Sequence, residues 1–173
     1  MPTKATGIDQ YLNYFYEGIY ESVVNTGKVF TLETAISKKD KIGMLLYQID
    51  YIFNAAQLLA SLSAANANII LAMSHFYNGS VAYTSPAYSG IIDYQEIGVV
   101  ATMVGLTGIL NYKISQQFPA PVIAHPASLY FHIKGLNCAA IAQCKIRLGY
   151  LYIDLSDQEY QEMLQNYILQ NVV

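Results

Sequence analysis

Charge is scarce in this chain. Lys, Arg, Asp and Glu make up 12% of its 173 residues, against roughly 25% in an ordinary soluble domain. Trp is absent, cysteines number two, and nine basic residues face twelve acidic ones. Each shortage excludes a class. Disorder needs high charge and low hydrophobicity, whereas 54% of this chain is hydrophobic. Electrostatic capture of nucleic acid needs a basic surplus, so no nucleic-acid sequence recognition is expected. Two cysteines make no disulfide framework. Cys138 and Cys144 lie six apart across an expected hairpin, within possible disulfide reach. Two small buried thiols is the favoured reading. The length suits one domain that can bury a real core.

Three uncharged runs raise the question of a membrane: Asp50 to Asp93, Glu96 to Lys113, and Lys113 to Lys134. A spanning helix needs about 20 mainly apolar residues. The first run is long enough but carries Asn54, Gln57, Ser61, Ser63, Asn66 and Asn68, each of which would need a partner in lipid. The second holds Gly98, Gly105 and Gly108, and the third Pro119, Pro121 and Pro126. No Lys or Arg cluster sets an orientation. An integral membrane protein is not expected, and residues 1–6 lack the apolar centre of a signal peptide.

What is present is Tyr, 16 residues of it, and short alternating segments. Tyr11, Tyr14, Phe15, Tyr16 and Tyr20 crowd residues 8–24, whose period is mixed. Such an end is sticky unless it docks. These five are the candidate subunit-interface residues, and 1–27 is expected as an N-terminal arm or exchanged segment. Lys28–Thr34 is β-branched and aromatic, as strands are. Ser37–Lys41 is a charged loop. Ile42–Phe53 reads as a long strand, with Leu45, Tyr47, Ile49 and Tyr51 on one face and Met44, Leu46, Gln48 and Asp50 on the other. Ala55–Ala65 suits a short helix or a loop. Asn68–Phe76 is strand-like, and Asn78-Gly79-Ser80 and Ser85-Pro86 are turn signals. Ile97–Tyr112 has too many glycines for a helix and reads as one or two bent strands.

Pro119-Ala120-Pro121 and His125-Pro126 predict a loop. Ser128–Lys134 and Ala140–Asp154 are strands, the latter alternating most clearly. Ser156-Asp157-Gln158-Glu159 is a capping box opening a helix with Tyr160, Met163, Leu164, Tyr167 and Ile168 on one face. Seven or eight strands with regular turns predict an all-β antiparallel sandwich or barrel. It should occupy 28–155, with 156–173 as a C-terminal helix on the same domain.

Catalysis is unsupported, and the chain is expected not to be an enzyme. His75, His125 and His132 match no metal spacing, so no metal or other cofactor is expected. Glu33, Asp50, Asp93 and Glu96 sit in apolar surroundings, but nothing in their spacing makes any two meet. There is no Gly-x-Ser-x-Gly elbow, phosphate loop or dinucleotide fingerprint. Asn78-Gly79-Ser80 fits a glycosylation acceptor by pattern only. A barrel with so few charges must expose Tyr, Asn, Gln, Ser and Ala, a surface suited to burial against other subunits.

Three stretches carry a resemblance: Lys39-Asp40-Lys41-Ile42-Gly43-Met44 continuing to Tyr51; Ala124-His125-Pro126-Ala127-Ser128-Leu129-Tyr130 continuing to Gly135; and Ile146-Arg147-Leu148-Gly149-Tyr150 continuing to Tyr160. A charged loop before a long strand, a His-Pro step into a Leu-Tyr strand, and a last strand running into a helix resemble jelly-roll viral capsid proteins. Length and low charge are similar to the small major capsid proteins of Thermus-infecting, sphaerolipovirus-like phages, tailless icosahedral viruses with an internal membrane. The resemblance covers about residues 28–165. It implies a single jelly roll in the virion shell, made in the host cytoplasm. It also implies a homodimer or mixed capsomer, a larger major capsid protein as partner, and nearby lipid. No catalytic residue carries over. Two other readings are a β-sandwich carbohydrate-binding or adhesin-like module, which usually leans on Trp, and a cupin-like enzyme, which needs clustered His.

Overall fold

The computed structural model describes residues 12–32, 41–75, 90–98, 111–125, 129–162 and 165. The fold is all-β. Eight strands run in chain order: β1 Asn13–Tyr20, β2 Lys28–Thr31, β3 Ile42–Asn54, β4 Asn68–Ser74, β5 Ile91–Gly98, β6 Asn111–Ala124, β7 Tyr130–Leu136 and β8 Gln143–Asp154. They form two four-stranded antiparallel sheets, ordered β1-β8-β3-β6 and β2-β7-β4-β5. The core lies between them. Leu46, Ile49, Tyr51 and Phe53 of β3 and Ile146 and Leu148 of β8 meet Ile69, Leu71 and Met73 of β4 and Phe131 and Ile133 of β7.

Alternation explains most of these elements, and a bulge explains the exception. On β3, Leu46 pairs with Tyr150 and Gln48 with Gly149, which leaves Tyr47 without a register partner. One extra residue turns every later side chain to the opposite face. Met44 and Leu46 therefore share the core with Ile49, Tyr51 and Phe53, not with Gln48 and Asp50 as plain alternation predicts. Gly149 accommodates the crowding beside this bulge. A Cβ there would lie 2.9 Å from Gln48 Cγ and 3.2 Å from Tyr14 Cε1.

The same irregularity absorbs Pro119-Ala120-Pro121. Expected as a loop, this stretch lies inside β6, where the register against β3 jumps between Gln117 and Val122. β6 is a sheet edge, a place where a residue without an N–H is tolerated. β1 also falls outside the expected barrel limits. Residues 13–20, within the stretch expected as an arm, pair with β8 of the same chain along their whole length.

The helix α1 (Ala55–Ser61) links β3 to β4. Asn54 caps it, its Oδ1 accepting from the N–H groups of Ala56 and Gln57 at 3.0 and 3.3 Å. The C-terminal helix begins at 157–162 with the expected capping box. Ser156 donates its N–H and hydroxyl to Glu159 Oε2, and Glu159 N–H donates to Ser156 Oγ. Lys41 forms an ion pair with Asp157. Among the described residues no helix is long and apolar enough to cross a membrane. The loop at Ser37–Asp40, the turns at 78–80 and 85–86, the stretch 99–110, and the helix face from Met163 to Ile168 lie outside the described residues, as do Tyr11 and Glu33.

The two sheets differ in how their outer faces end. β4 is buried on both sides: Ile69, Leu71 and Met73 face the core, and Ile70, Ala72 and Ser74 on the other face are 2% exposed or less. A strand buried on both faces reads as an unbroken apolar run, as Ile69–Met73 does. The outer face of β1-β8-β3-β6 is open and carries Tyr14, Tyr16 and Tyr20, which are 37, 62 and 48% exposed.

Candidate functional site

The open face of the first sheet is the candidate site. Cross-strand register builds it in rows. Tyr16 stands beside Arg147, Arg147 beside Asp50, and Asp50 beside Ser115. Asp50 is 1% exposed although it points outward, because its neighbours cover it. Ser115 Oγ donates to Oδ1 at 2.5 Å, Lys113 Nζ lies 3.1 Å from the same oxygen, and Arg147 donates from Nε to Oδ2 at 2.6 Å and also pairs through Nη2. Burial pushes this carboxyl up. The bonds from Ser115, Lys113 and Arg147, with the attraction of Arg147, outweigh it and hold the group below its usual range. Arg147 also lies 5.2 Å from the Tyr14 ring centroid, in cation–π range.

On one side of this row is an apolar strip, Ile123–Leu45–Leu151, with Ile123 45% exposed. On the other is a groove over Gly18. Of the five residues expected at an interface, Tyr14, Tyr16 and Tyr20 reach this outer face. Phe15 turns inward and stacks on Phe131 of the opposite sheet, centroids 6.2 Å apart. Tyr11 lies outside the described residues.

Of the acidic residues noted in sequence, the described ones, Asp50, Asp93 and Glu96, do not meet one another. Asp93 lies in the sandwich, where Tyr51 donates to it across the two sheets at 2.9 Å and Gln95 at 3.0 Å. Burial raises Asp93 more than these bonds lower it, and it also raises the Tyr51 hydroxyl well above its usual range. Glu96 accepts from Asn68. Sequence reasoning missed Glu21. It is 1% exposed, and its carboxylate accepts from four backbone N–H groups: Gly135 at 2.7 Å, Gly27 and Ala142 at 3.0 Å, and Asn25 at 3.4 Å. The available signal was an acidic residue just before the turn formers Asn25-Thr26-Gly27.

Cys138 and Cys144 are free and buried. Among the described residues no three His, Cys, Asp or Glu side chains gather. His132 is fully buried, its Nε2 2.7 Å from Ser74 Oγ. Burial lowers the pKa of His132, and that of His75, to about 4 from 6.5. The unfolded chain takes up these protons below pH 6.5, while the folded chain holds out until about 4. Stability is therefore full above pH 6.5 and falls through the window between the two values, by up to about 3 kcal/mol for His132. Urea denaturation midpoints should drop across that window, and His132→Asn should flatten the drop. An equal slope in the variant would place the acid sensitivity elsewhere.

Neither a protein-family model nor a curated protein matches this chain.

Proposed function

We propose that this chain is a structural virion protein, a major capsid subunit. It associates with itself and with a larger capsid protein in an icosahedral shell over an internal membrane, and it performs no catalysis. The observation that carries the reading is the strand order. β1 lies beside β8, β2 beside β7, β3 beside β6 and β4 beside β5, and the β8–β3 and β7–β4 contacts join these pairs into two sheets. That is the order of an antiparallel ribbon rolled into a jelly roll, an architecture of viral shells and lectins. The low charge and the exposed Tyr14 and Tyr16 of one sheet face support it, since Tyr is enriched and charge depleted at interface centres. Tyr14 and Tyr16 stand 6.4 Å apart, centroid to centroid, on that face.

Sedimentation and affinity capture test this. The pure chain should sediment as a dimer or larger, and should remain so at about 1 M salt, where the screening length is only about 3 Å. Antibodies to it should pull down membrane-containing particles with a larger barrel protein. Tyr14→Ser and Tyr16→Ser together should weaken self-association by at least about tenfold. A monodisperse monomer at high concentration, absent from such particles, would sink the reading.

A further inference from the structure

The groove beside the charged row has a volume of about 320 Å³ and is lined in part by Gly18, Tyr20, Asn54, Gln57, Gln143 and Lys145. That is at the small end of ligand sites, roughly 300–1,000 Å³. Its floor is open because Gly18 has no side chain, and a Cβ there would meet nothing within 4 Å. Three cations stand on this sheet face. Lys113 and Arg147 are both engaged by Asp50. Lys145 is exposed, has no ion pair among the described residues, and is the one in the groove.

The other polar groups there are uncharged and have hydrogen-bonding capacity to spare. Asn54 spends its oxygen on the helix cap and keeps its amide NH₂. Gln57 is exposed and Gln143 half-buried. Tyr20 is 48% exposed, with Lys28 Nζ 4.7 Å from its ring centroid. None of the lining residues is acidic.

We infer that this groove binds an acidic saccharide, a sugar unit carrying one carboxylate. Lys145 receives the carboxylate, the amides of Asn54, Gln57 and Gln143 receive the hydroxyls, and the Tyr20 ring packs on the C–H face. A simple anion would leave three amides and a ring unused. A neutral sugar would leave the Lys145 ammonium, without an ion pair among the described residues, unused. The inference does not depend on the shell reading: neither Tyr14 nor Tyr16, on which self-association rests, lines the groove, and the readout is saccharide binding, so either can fail alone.

The test is calorimetric titration of the whole chain with methyl glucuronide, methyl glucoside and acetate. The glucuronide should bind about tenfold more tightly than the glucoside, and Lys145→Ala should erase that difference. Gly18→Leu should fill the groove and abolish binding of both sugars with an unchanged melting temperature, since its side chain enters open space. The proposal is overturned if the wild-type chain binds no glucuronide. It is also overturned if Gly18→Leu binds as well as the wild type, if Lys145→Ala keeps the preference, or if acetate competes as effectively as the sugar.

Discussion

Glu21→Ala should leave the chain unfolded at room temperature, or cost more than about 4 kcal/mol in urea denaturation, a loss outside the usual range for single substitutions. Four N–H groups converge on this carboxylate from three parts of the fold: the β1–β2 turn through Asn25 and Gly27, the end of β7 through Gly135, and the approach to β8 through Ala142. Alanine orphans all four. The Gly135 and Ala142 bonds are buried and the Asn25 and Gly27 bonds part-buried. Each buried donor left without a partner costs about 1–3 kcal/mol, the part-buried ones less, and the truncation also leaves a void where the side chain was 1% exposed. The same turn holds Asn25 at a φ of 62°, a conformation Asn tolerates because its short side chain can bond locally. Here its amide donates to Cys138 O and its oxygen accepts from Cys138 N–H. Glu21→Gln keeps one carbonyl oxygen and should recover part of the loss. Wild-type stability in Glu21→Ala would show that the turn repacks or hydrates without cost.

Asp50→Ala should cost about 3 kcal/mol, near the lower end of what breaking a buried ion pair costs. The lower end applies because Lys113 and Arg147 are 43 and 29% exposed and partly screened by water, although Asp50 itself is not. The variant leaves two cations side by side with no anion between them. Replacing the cluster should differ from breaking it: Asp50→Leu combined with Arg147→Met should recover most of the stability, because an apolar pair of similar volume carries no desolvation cost. A double variant as unstable as Asp50→Ala would refute that account. Asp50 also adds to acid sensitivity. Its folded pKa lies below its unfolded one, so its contribution is complete above the unfolded value near 4 and is lost as pH falls through the folded value.

Both clusters were hard to see in sequence, for the same reason. Asp50 and Arg147 are 97 positions apart, and Glu21 and Ala142 are 121 apart. Antiparallel pairing brings such residues together, and no local period marks them. Elements governed by local chemistry were legible. The Ser156–Glu159 capping box formed as expected because its bonds span three residues. The strands β3, β4, β7 and β8 fell close to their expected limits because alternation is a local signal. β6 was hidden by Pro119 and Pro121, which forbid a central strand but not a bulged edge. β1 was hidden by its mixed period: Phe15 and Ile19 face the core while Tyr14, Tyr16 and Tyr20 face out, and edge exposure leaves Glu17 on the inner side.

The sequence alone determined the class. Scarce charge, abundant Tyr and short alternating segments dictate an all-β sandwich whose surface is apolar for its size, because composition and period act residue by residue. The tertiary structure decided which face stays open and what lies on it. One unpaired residue at Tyr47 let both halves of β3 meet the core, and register then placed Arg147, Lys113 and Ser115 around Asp50 and left Lys145, without an ion pair among the described residues, over Gly18. Those are consequences of strand order and register, which are properties of the whole chain.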